Sequence, residues 1–282
     1  MKKVISLFLV IYSPIVALWG LPAFDGWCWL SNVEIRGSLA YESEYVYRGA
    51  KTAQDVILPA LEVDYCMPCG KIYMGGWGVA PIGNSDFKTV RQLNPYIGAR
   101  FNLTDIFMVD AGYTYYWYFF DESSNFQFLR HNVNRQNEIY FGLIGDVILC
   151  PALYIFYNYN LDEWVIQANV KHSFDLFCLT SVCGLYLDFY ADAAWLRASR
   201  FNGDQRPAGI EAHHNSYWYF DLKFDLTYRF NECIWASIGP RLTYNTDGIT
   251  AANFLITEGY TANALGNHHH MLWWGGRVGF RF

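Results

Sequence analysis

Residues 218–231 read WYFDLKFDLTYRFN, a stretch in which apolar and polar side chains alternate. One parity class holds Trp218, Phe220, Leu222, Phe224, Leu226, Tyr228 and Phe230, whereas the other holds Tyr219, Asp221, Lys223, Asp225, Thr227, Arg229 and Asn231. The first class is apolar or aromatic and the second is mostly polar or charged. A period of two residues held over this whole stretch predicts a β-strand with one apolar face and one polar face.

The same alternation recurs at 107–119, 164–176, 185–195 and 272–282. These segments are about 10 to 15 residues long, whereas strands of soluble sheets average about 5–6 residues. They carry charges at mid-strand opposite the apolar face, and aromatic residues crowd their ends, as membrane-interface girdles would. The pattern predicts an all-β chain folded as a transmembrane antiparallel up-and-down β-barrel of the outer-membrane type.

The alternating segments number about twelve. They cover 33–48, 57–65, 71–80, 93–102, 106–120, 137–147, 152–160, 163–178, 183–197, 217–231, 233–245 and 271–282. Short connectors alternate with longer polar ones near 49–56, 81–92, 121–136, 198–216 and 246–270, with 160–163 as a short exception. Short periplasmic turns and long outer loops are typical of bacterial outer-membrane barrels, and an even strand count places both chain ends in the periplasm.

The N-terminal residues predict export. Lys2 and Lys3 precede an apolar run from Val4 to Leu18, which is shorter than the roughly 20 residues that a spanning helix needs. We expect a signal peptide at 1–24 and the outer-membrane barrel at 25–282. The C-terminal Phe282 follows alternating aromatic residues and resembles the assembly signal of such barrels. Outer-membrane lipid and the barrel-assembly machinery are therefore the expected partners.

Composition excludes one class of partner. The 282 residues carry 20 basic and 26 acidic side chains and a net charge of −6, so we expect no nucleic-acid binding. Aromatic residues make up 19% of the chain, more than the 16% that is charged, a balance that is unusual for a soluble protein.

Several stretches between residues 38 and 230 resemble one family. They are SLAYESEYVYRGAKT from Ser38, then LPALEVDY, KIYMGGWG, VDAGYTYYWY, NEIYFGL and ALYIFYNYN. This set is similar to the TorF-like family of outer-membrane porins, and its most specific piece is SEYVYRG, Ser43 to Gly49. The resemblance implies a small barrel that acts as a channel, but it implies no particular solute. The seven cysteines and the long aromatic, histidine-bearing last loop depart from the family pattern.

Parity assigns one set of charged residues to the lumen. It comprises Glu34, Arg36, Glu42, Glu44, Arg48, Glu62, Asp64, Arg100, Asp110, Asp146, Lys171, Asp188, Asp192, Asp221, Lys223, Asp225, Arg229, Arg277 and Arg281. These charges either pair across strands and hold the barrel open or plugged, or they line an aqueous path with a slight preference for cations. The sequence alone leaves both alternatives open.

The predicted function is passive diffusion of small hydrophilic solutes through an outer-membrane channel. The alternative is a structural envelope protein or adhesin whose lumen is closed by its own charges. A barrel enzyme would need a serine, a histidine and a third polar group at matching height, and the histidines show no such motif, so we expect no enzyme and no catalytic residue. We expect no cofactor and no metal, since His268–His270 fits a solvated loop better than a metal site.

The cysteines are expected at one rim of the barrel. Cys66 and Cys69 fall in the turn between strands 2 and 3, Cys178 and Cys183 between strands 8 and 9. Because those turns lie on opposite sides of a barrel roughly 25 Å across, the two pairs cannot share one zinc ion. Cys178 and Cys183 could pair across their hairpin, but an odd total leaves at least one thiol free or paired with another chain. We expect some to link the barrel to neighbouring envelope proteins. In this feature the chain resembles the major outer-membrane porins of chlamydiae.

Overall fold

The computed structural model describes residues 32–82, 91–119, 135–198, 216–246 and 269–282. Contacts divide the chain into the units Met1–Val33 and Glu34–Phe282. The expected signal peptide and Cys28 lie outside the described residues, so both stay predictions. No helix among the described segments is long and apolar enough to span a membrane.

In the described residues, twelve antiparallel strands form a closed barrel. They are β1 Val33–Tyr47, β2 Ala50–Met67, β3 Gly70–Pro81, β4 Arg91–Asn102, β5 Phe107–Phe119, β6 Arg135–Gly145, β7 Ala152–Asn158, β8 Glu163–Asp175, β9 Leu185–Ala198, β10 Ser216–Arg229, β11 Ile234–Asn245 and β12 His270–Arg281. Each strand pairs with its neighbours in sequence, and β1 pairs with β12 to close the ring. The all-β, twelve-stranded antiparallel barrel predicted from the alternation is confirmed.

Strand register keeps like faces together. In β10, Trp218 lies opposite Trp195 of β9, and Asp221 lies opposite Asp192. On the other side of β10, Asp221 lies opposite Thr243 of β11. A slip of one residue would turn every side chain to the other face, so the long apolar row of β10 fixes this register.

The outer and inner faces differ in polarity. Large apolar side chains such as Met74, Ile238 and Leu272 are exposed on the outside, with Leu272 67% exposed. Polar side chains such as Asn94 and Thr243 are fully buried inside. This is the reverse of a soluble barrel, in which apolar side chains fill the interior.

The first outer connection differs from the prediction. Residues 49–56 were expected as a long polar loop, but β2 already begins at Ala50, after a turn of Arg48 and Gly49. The alternation fails there because side chains on both faces are covered, and Thr52 Oγ1 donates a hydrogen bond to the Tyr45 carbonyl at 3.0 Å. The other long connectors at 83–90, 120–134, 199–215 and 247–268 lie outside the described residues.

One strand end also differs. The segment 163–178 was expected to be a single strand, but β8 ends at Asp175 and a short helix, α1, covers Phe177–Thr180. The Phe177 amide donates to Asp175 Oδ1 at 2.8 Å, and this bond turns the chain away from the sheet.

Candidate functional site in the barrel interior

The turn between β1 and β2 lies inside the barrel. The Arg48 carbonyl accepts a hydrogen bond from the Tyr217 hydroxyl of β10 at 2.7 Å, and the Gly49 carbonyl accepts one from Asn245 Nδ2 of β11 at 2.8 Å. Both residues have a positive φ, 50° at Arg48 and 76° at Gly49, so the turn is of the tight left-handed kind. We refer to Tyr47–Ala50 as the hairpin tip.

The Arg48 side chain extends from the hairpin tip to the far wall. Its guanidinium forms salt bridges with Glu138 of β6 and Glu163 of β8. The arginine side chain is 8% exposed and the two carboxylates are 2% and 0% exposed, so all three charges are buried together. Burying these ions is tolerated only because each has an opposite partner.

Aromatic rings surround this ion cluster. The Arg48 guanidinium carbon lies 5.0 Å from the Tyr47 ring centre and 5.7 Å from that of Phe156. The Tyr47 hydroxyl donates to the Tyr116 hydroxyl at 3.0 Å, and the latter donates to Glu138 at 2.9 Å. The positive charge is therefore held by both carboxylates and ring faces.

The hairpin tip packs against one side of the interior. The residues buried together there are Ala50, Tyr116, Tyr118, Leu161, Val165, Ala194, Leu196, Tyr217 and Tyr219. Most of them lie on β8, β9 and β10, so this side of the lumen is filled with side chains.

A cavity adjoins this packed group and shares Tyr116 with it. Its volume is about 320 Å³, and its lining residues lie on β3 to β7: Trp77, Tyr96, Thr114, Tyr116, Glu138, Tyr140 and Phe156. Glu138 is the charged member of this lining. The tip therefore leaves open space along the β3–β7 wall.

A second charge cluster lies on β1 to β3, nearer the short connections. Arg36 bonds to Glu62 at 2.5 Å, to Glu34 at 3.1 Å and also to Asp64. Lys71 bonds to Asp64 at 2.8 Å. Parity predicted the first four of these residues, and the structure places them on one face within contact of one another.

A third cluster surrounds Asp110 on β5. Arg100 Nη2 bonds to its carboxylate at 2.6 Å, and the hydroxyls of Tyr73 and Tyr154 donate to it at 2.5 and 2.9 Å. Arg100 and Asp110, each predicted to face the lumen, therefore bond to each other, and both oxygens of the buried carboxylate have partners.

A fourth cluster lies where β1 and β12 close the barrel. Arg241 bonds to Asp225 at 2.6 Å and approaches Glu42 to 3.6 Å, while Trp273 Nε1 donates to Glu42 at 2.9 Å. Because these groups come from β1, β10, β11 and β12, the cluster connects the two ends of the chain.

The remaining predicted charges are scattered along the inner face. Glu44 bonds to Lys51 at 2.7 Å. Asp188 accepts from Ser173 and, at 2.5 Å, from Thr227, and Asp221 accepts from Thr243. Asp192 lies opposite Asp221 in the β9–β10 ladder. The positive charges of Lys223 and Arg229 lie over the Tyr190 and Tyr186 rings, at 5.3 and 3.9 Å.

Four of the predicted lumen charges are exposed to solvent. Asp146 was expected in the lumen, but it follows the end of β6 and is exposed, so that prediction is wrong. Arg281 bonds to Glu34 at 2.8 Å and is 64% exposed at the rim. In the described part of the chain, Lys171 and Arg277 have no carboxylate within 4.0 Å, and both are exposed.

Sequence reasoning missed several interior charges. The missed acids are Glu138 and Glu163, which form salt bridges with Arg48. The missed bases are Lys51, Lys71 and Arg241, each of which forms a salt bridge with a carboxylate. Glu138 shares the parity of Tyr140 in β6, so the rule that found Asp110 could also have found it. The missing signal was the partner, because nothing in the sequence places Arg48 near β6.

Six cysteines lie at the end of the barrel that carries the short connections, which we call the short-turn rim. Cys66, Cys69, Cys178 and Cys183 are exposed, and Cys150 and Cys233 are half-buried. None of the six forms a disulfide, and no cluster in the described segments has the ligands for a metal ion. The pairings involving Cys66, Cys69, Cys178 and Cys183 stay predictions.

The C-terminal residue, Phe282, lies at the same rim. The backbone of Phe282 exchanges two hydrogen bonds with Ile35 at 2.8 and 2.9 Å, and its ring is half exposed. Its role as an assembly signal stays a prediction. Of the histidines, His270 packs against Tyr244 and His172 against Phe174, while 131, 213, 214 and 268 lie outside the described residues.

Comparison with known proteins assigns no family. No protein-family model matches the chain, and no curated protein matches it. Similar solved structures include LpxR from Salmonella typhimurium, with 8% identity, a TM-score of 0.48 and coverage of 88% of this chain and 99% of that chain. The KdgM porin in complex with disordered oligogalacturonate has 9% identity, a TM-score of 0.46 and coverage of 88% and 99%. The NanC porin has 14% identity, a TM-score of 0.42 and coverage of 88% and 97%.

Proposed function

We propose that the chain is a channel of the bacterial outer membrane that passes small hydrophilic solutes by diffusion. The observation that carries this is the opposite polarity of the two faces, with large apolar side chains exposed outside and charged clusters inside a closed ring. A closed barrel satisfies its backbone hydrogen bonds in lipid, and the apolar exterior suits that solvent. The short-turn rim then faces the periplasm. The resemblance to TorF-like porins agrees with this proposal.

The solute path follows the β3–β7 wall. The packed residues around the hairpin tip lie mostly on β8, β9 and β10, and the adjoining cavity of about 320 Å³ leaves space beside Trp77 and Tyr140. The clusters of Arg36 and Asp110 lie nearer the short-turn rim than this cavity. In each cluster the arginine forms a salt bridge with a carboxylate. Such a lining favours small hydrated solutes, with a slight preference for cations where carboxylates exceed the bases.

Liposome swelling tests this function. Purified barrel is reconstituted into liposomes loaded with an impermeant polymer, which are then diluted into isotonic arabinose, glucose or raffinose, with protein-free liposomes as the control. We expect swelling that is fastest in arabinose and absent in raffinose. Failure of any solute to swell liposomes that contain folded barrel would contradict the channel.

The second candidate is a structural envelope protein or adhesin, and the buried salt bridges of Arg48 favour it. In this candidate the tip stays bonded to Glu138 and Glu163, the interior charges pair with one another, and the barrel serves as a scaffold. The exposed thiols of Cys66, Cys69, Cys178 and Cys183 would then link it to neighbours in the oxidising periplasm. Swelling in arabinose beyond that of protein-free liposomes separates the two candidates. An enzymatic function is not part of either proposal.

A further inference from the structure

The cavity beside the hairpin tip is lined mainly by aromatic rings, and two of them lie along the barrel wall. Tyr96 is paired with Gly75 of β3, and Tyr140 is paired with Gly112 of β5. A Cβ at either glycine would collide with the paired tyrosine, so each tyrosine side chain leans across the neighbouring strand. Trp77 lies 5.7 Å from Tyr96 between ring centres. The cavity therefore has ring faces turned towards the lumen.

The charged group of this lining is already paired. Glu138 is the charged residue of the lining, and one of its carboxylate oxygens forms a salt bridge with Arg48. Its other oxygen accepts the proton of the Tyr116 hydroxyl at 2.9 Å. The Tyr96 hydroxyl proton is likewise directed at Glu62. An ionic group on a ligand would lose its water here without gaining an unpaired counter-charge from the lining, so the lining favours a neutral ligand.

Two polar groups of the lining can bond to a ligand. They are the indole N–H of Trp77 and the hydroxyl of Thr114, neither of which has a hydrogen-bond partner among the described residues. Thr114 lies between Tyr96 and Glu138 in the strand ladders. The indole N–H can only donate, whereas the hydroxyl can donate or accept. The cavity therefore suits a ligand that carries both acceptors and donors.

A sugar ring combines these properties. Its hydroxyls donate and accept around its edge, while its C–H groups cover a face of the ring. These C–H hydrogens carry a slight positive charge and pack against the negative face of an aromatic ring. The cavity volume of about 320 Å³ falls at the lower end of small-molecule pockets, roughly 300–1,000 Å³. It therefore suits one sugar ring better than a longer oligosaccharide.

We propose that the cavity binds one neutral sugar ring on the solute path. A face of the sugar packs against Trp77 and Tyr140, and its hydroxyls bond to Trp77 Nε1 and to the Thr114 hydroxyl. This names the solute class of the proposed channel and rests on that function for its biological meaning, but binding itself requires no conductance.

Saturation-transfer NMR on the folded barrel, in a polyoxyethylene detergent that has no sugar head group, tests the proposal. The probe is methyl β-glucoside at pH 6, compared with methyl β-glucuronide as the acid, methyl β-glucosaminide as the cation and sorbitol as the open-chain polyol without a ring face. We expect saturable binding of methyl glucoside at one site, with sorbitol about tenfold weaker and the two charged sugars about threefold weaker or more. Any of these three binding as tightly as methyl glucoside would overturn the proposal, as would no methyl glucoside binding.

Three variants locate the site. Trp77→Leu removes a ring and an N–H from the lining, Thr114→Val removes the hydroxyl with little change of shape, and the control Trp164→Leu removes a ring from the exposed outer face of β8. We expect methyl glucoside binding about tenfold weaker in Trp77→Leu and about threefold weaker in Thr114→Val, in line with the loss of a ring contact and of a neutral hydrogen bond. Trp164→Leu should leave binding unchanged. Wild-type binding by both lining variants, each shown to be folded by the mobility of unheated samples on gels, would contradict the location.

The sugar site and the channel function can fail separately. If methyl glucoside binds but arabinose swells no liposomes, the channel function fails and the site stands. If the liposomes swell but methyl glucoside does not bind, the site is wrong and the channel function stands.

Discussion

Arg48 contacts parts of the barrel that lie far apart in the sequence. It belongs to the turn after β1, yet its guanidinium bonds to carboxylates 90 and 115 residues further along the chain. Replacing such a buried cluster by apolar groups can be neutral, but removing one partner leaves uncompensated charge. We therefore expect its individual residues to matter more than those of the rim pairs.

The substitution Arg48→Met should destabilise the folded barrel by about 3–5 kcal/mol, because the buried carboxylates of Glu138 and Glu163 would lose the guanidinium that they share. Urea titration in lipid vesicles, with the folded fraction read from the mobility of unheated samples on gels, measures this. Arg281→Met is the matched control, since Arg281 is 64% exposed and such rim pairs contribute about 1 kcal/mol or less. If both variants lost the same free energy of unfolding, burial of the Arg48 cluster would not explain its contribution to stability.

Parity in sequence predicted the interior residues whose partners are on adjacent strands. Alternation placed Arg100 and Asp110 on the inner face of neighbouring strands, and the β4–β5 register sets them opposite each other. The partners of Arg48 could not be predicted, because its direction depends on a turn that folds inward and on the Tyr217 and Asn245 side chains that hold it. Long-range contacts of this kind leave no periodic signal.

At the level of elements, the hairpin tip depends on Gly49. Its φ of 76° lies in the left-handed region, and a Cβ there would touch the Tyr219 side chain. Both facts require glycine, since an L residue pays roughly 1–2 kcal/mol in this region even without a clash.

The substitution Gly49→Ala should therefore displace the tip and destabilise the barrel by about 1–2 kcal/mol or more. Gly276→Ala is the control, because a Cβ at Gly276 would come no closer than 3.5 Å to a heavy atom and should change stability by less than about 0.5 kcal/mol. The same urea titration compares them. A Gly49→Ala barrel as stable as the control would mean that the tip has another conformation.

The start of β2 shows where alternation stops predicting strands. Residues 50–56 read AKTAQDV and were expected as a loop, because no single face is apolar. In the structure the side chains of Ala50, Thr52, Ala53 and Val56 are buried, and they lie on both faces of the strand. A strand that is buried on both faces shows no alternation of apolar and polar residues. Strands with one polar face and one apolar face, such as β10, were predicted to within two residues at each end.

The outer face gives a prediction about lipid. Ile238→Arg should destabilise the barrel in vesicles by about 2–4 kcal/mol if this exposed position lies in the hydrocarbon layer. Asn169→Arg is the control, since residue 169 lies opposite Asp192 in the β8–β9 ladder and on the inner face. Folding yield in vesicles and urea midpoints measure both. Equal tolerance of arginine at the two positions would contradict a lipid-facing exterior.

At the scale of the whole molecule, the short-turn rim carries thiols around the ring. Cys66 and Cys69 lie at the β2–β3 connection, and Cys178 and Cys183 lie at the β8–β9 connection. Because these groups are six strands apart, thiols on opposite sides of the barrel can each reach a different neighbour. The sequence predicted this placement from connector lengths, and the closed strand order confirms it for the six described cysteines.

Non-reducing gels of native membranes should therefore show cross-linked species that collapse to the monomer after reduction. Combined replacement of Cys66, Cys69, Cys178 and Cys183 by serine should remove most of them, because these are the exposed thiols. A combined Cys150→Ser and Cys233→Ser variant, at the half-buried positions, serves as the control and should keep them. Monomer alone in unreduced native membranes would contradict linkage to neighbours.

The closed ring, the apolar exterior and the open space along the β3–β7 wall support one central claim, that solutes pass through the interior. Single-channel recording of the folded wild-type barrel in planar bilayers tests it most directly. We expect discrete unit conductance steps and, in a salt gradient, a reversal potential that indicates a modest preference for cations. Folded barrel that inserts into the bilayer and gives no conductance steps would contradict it.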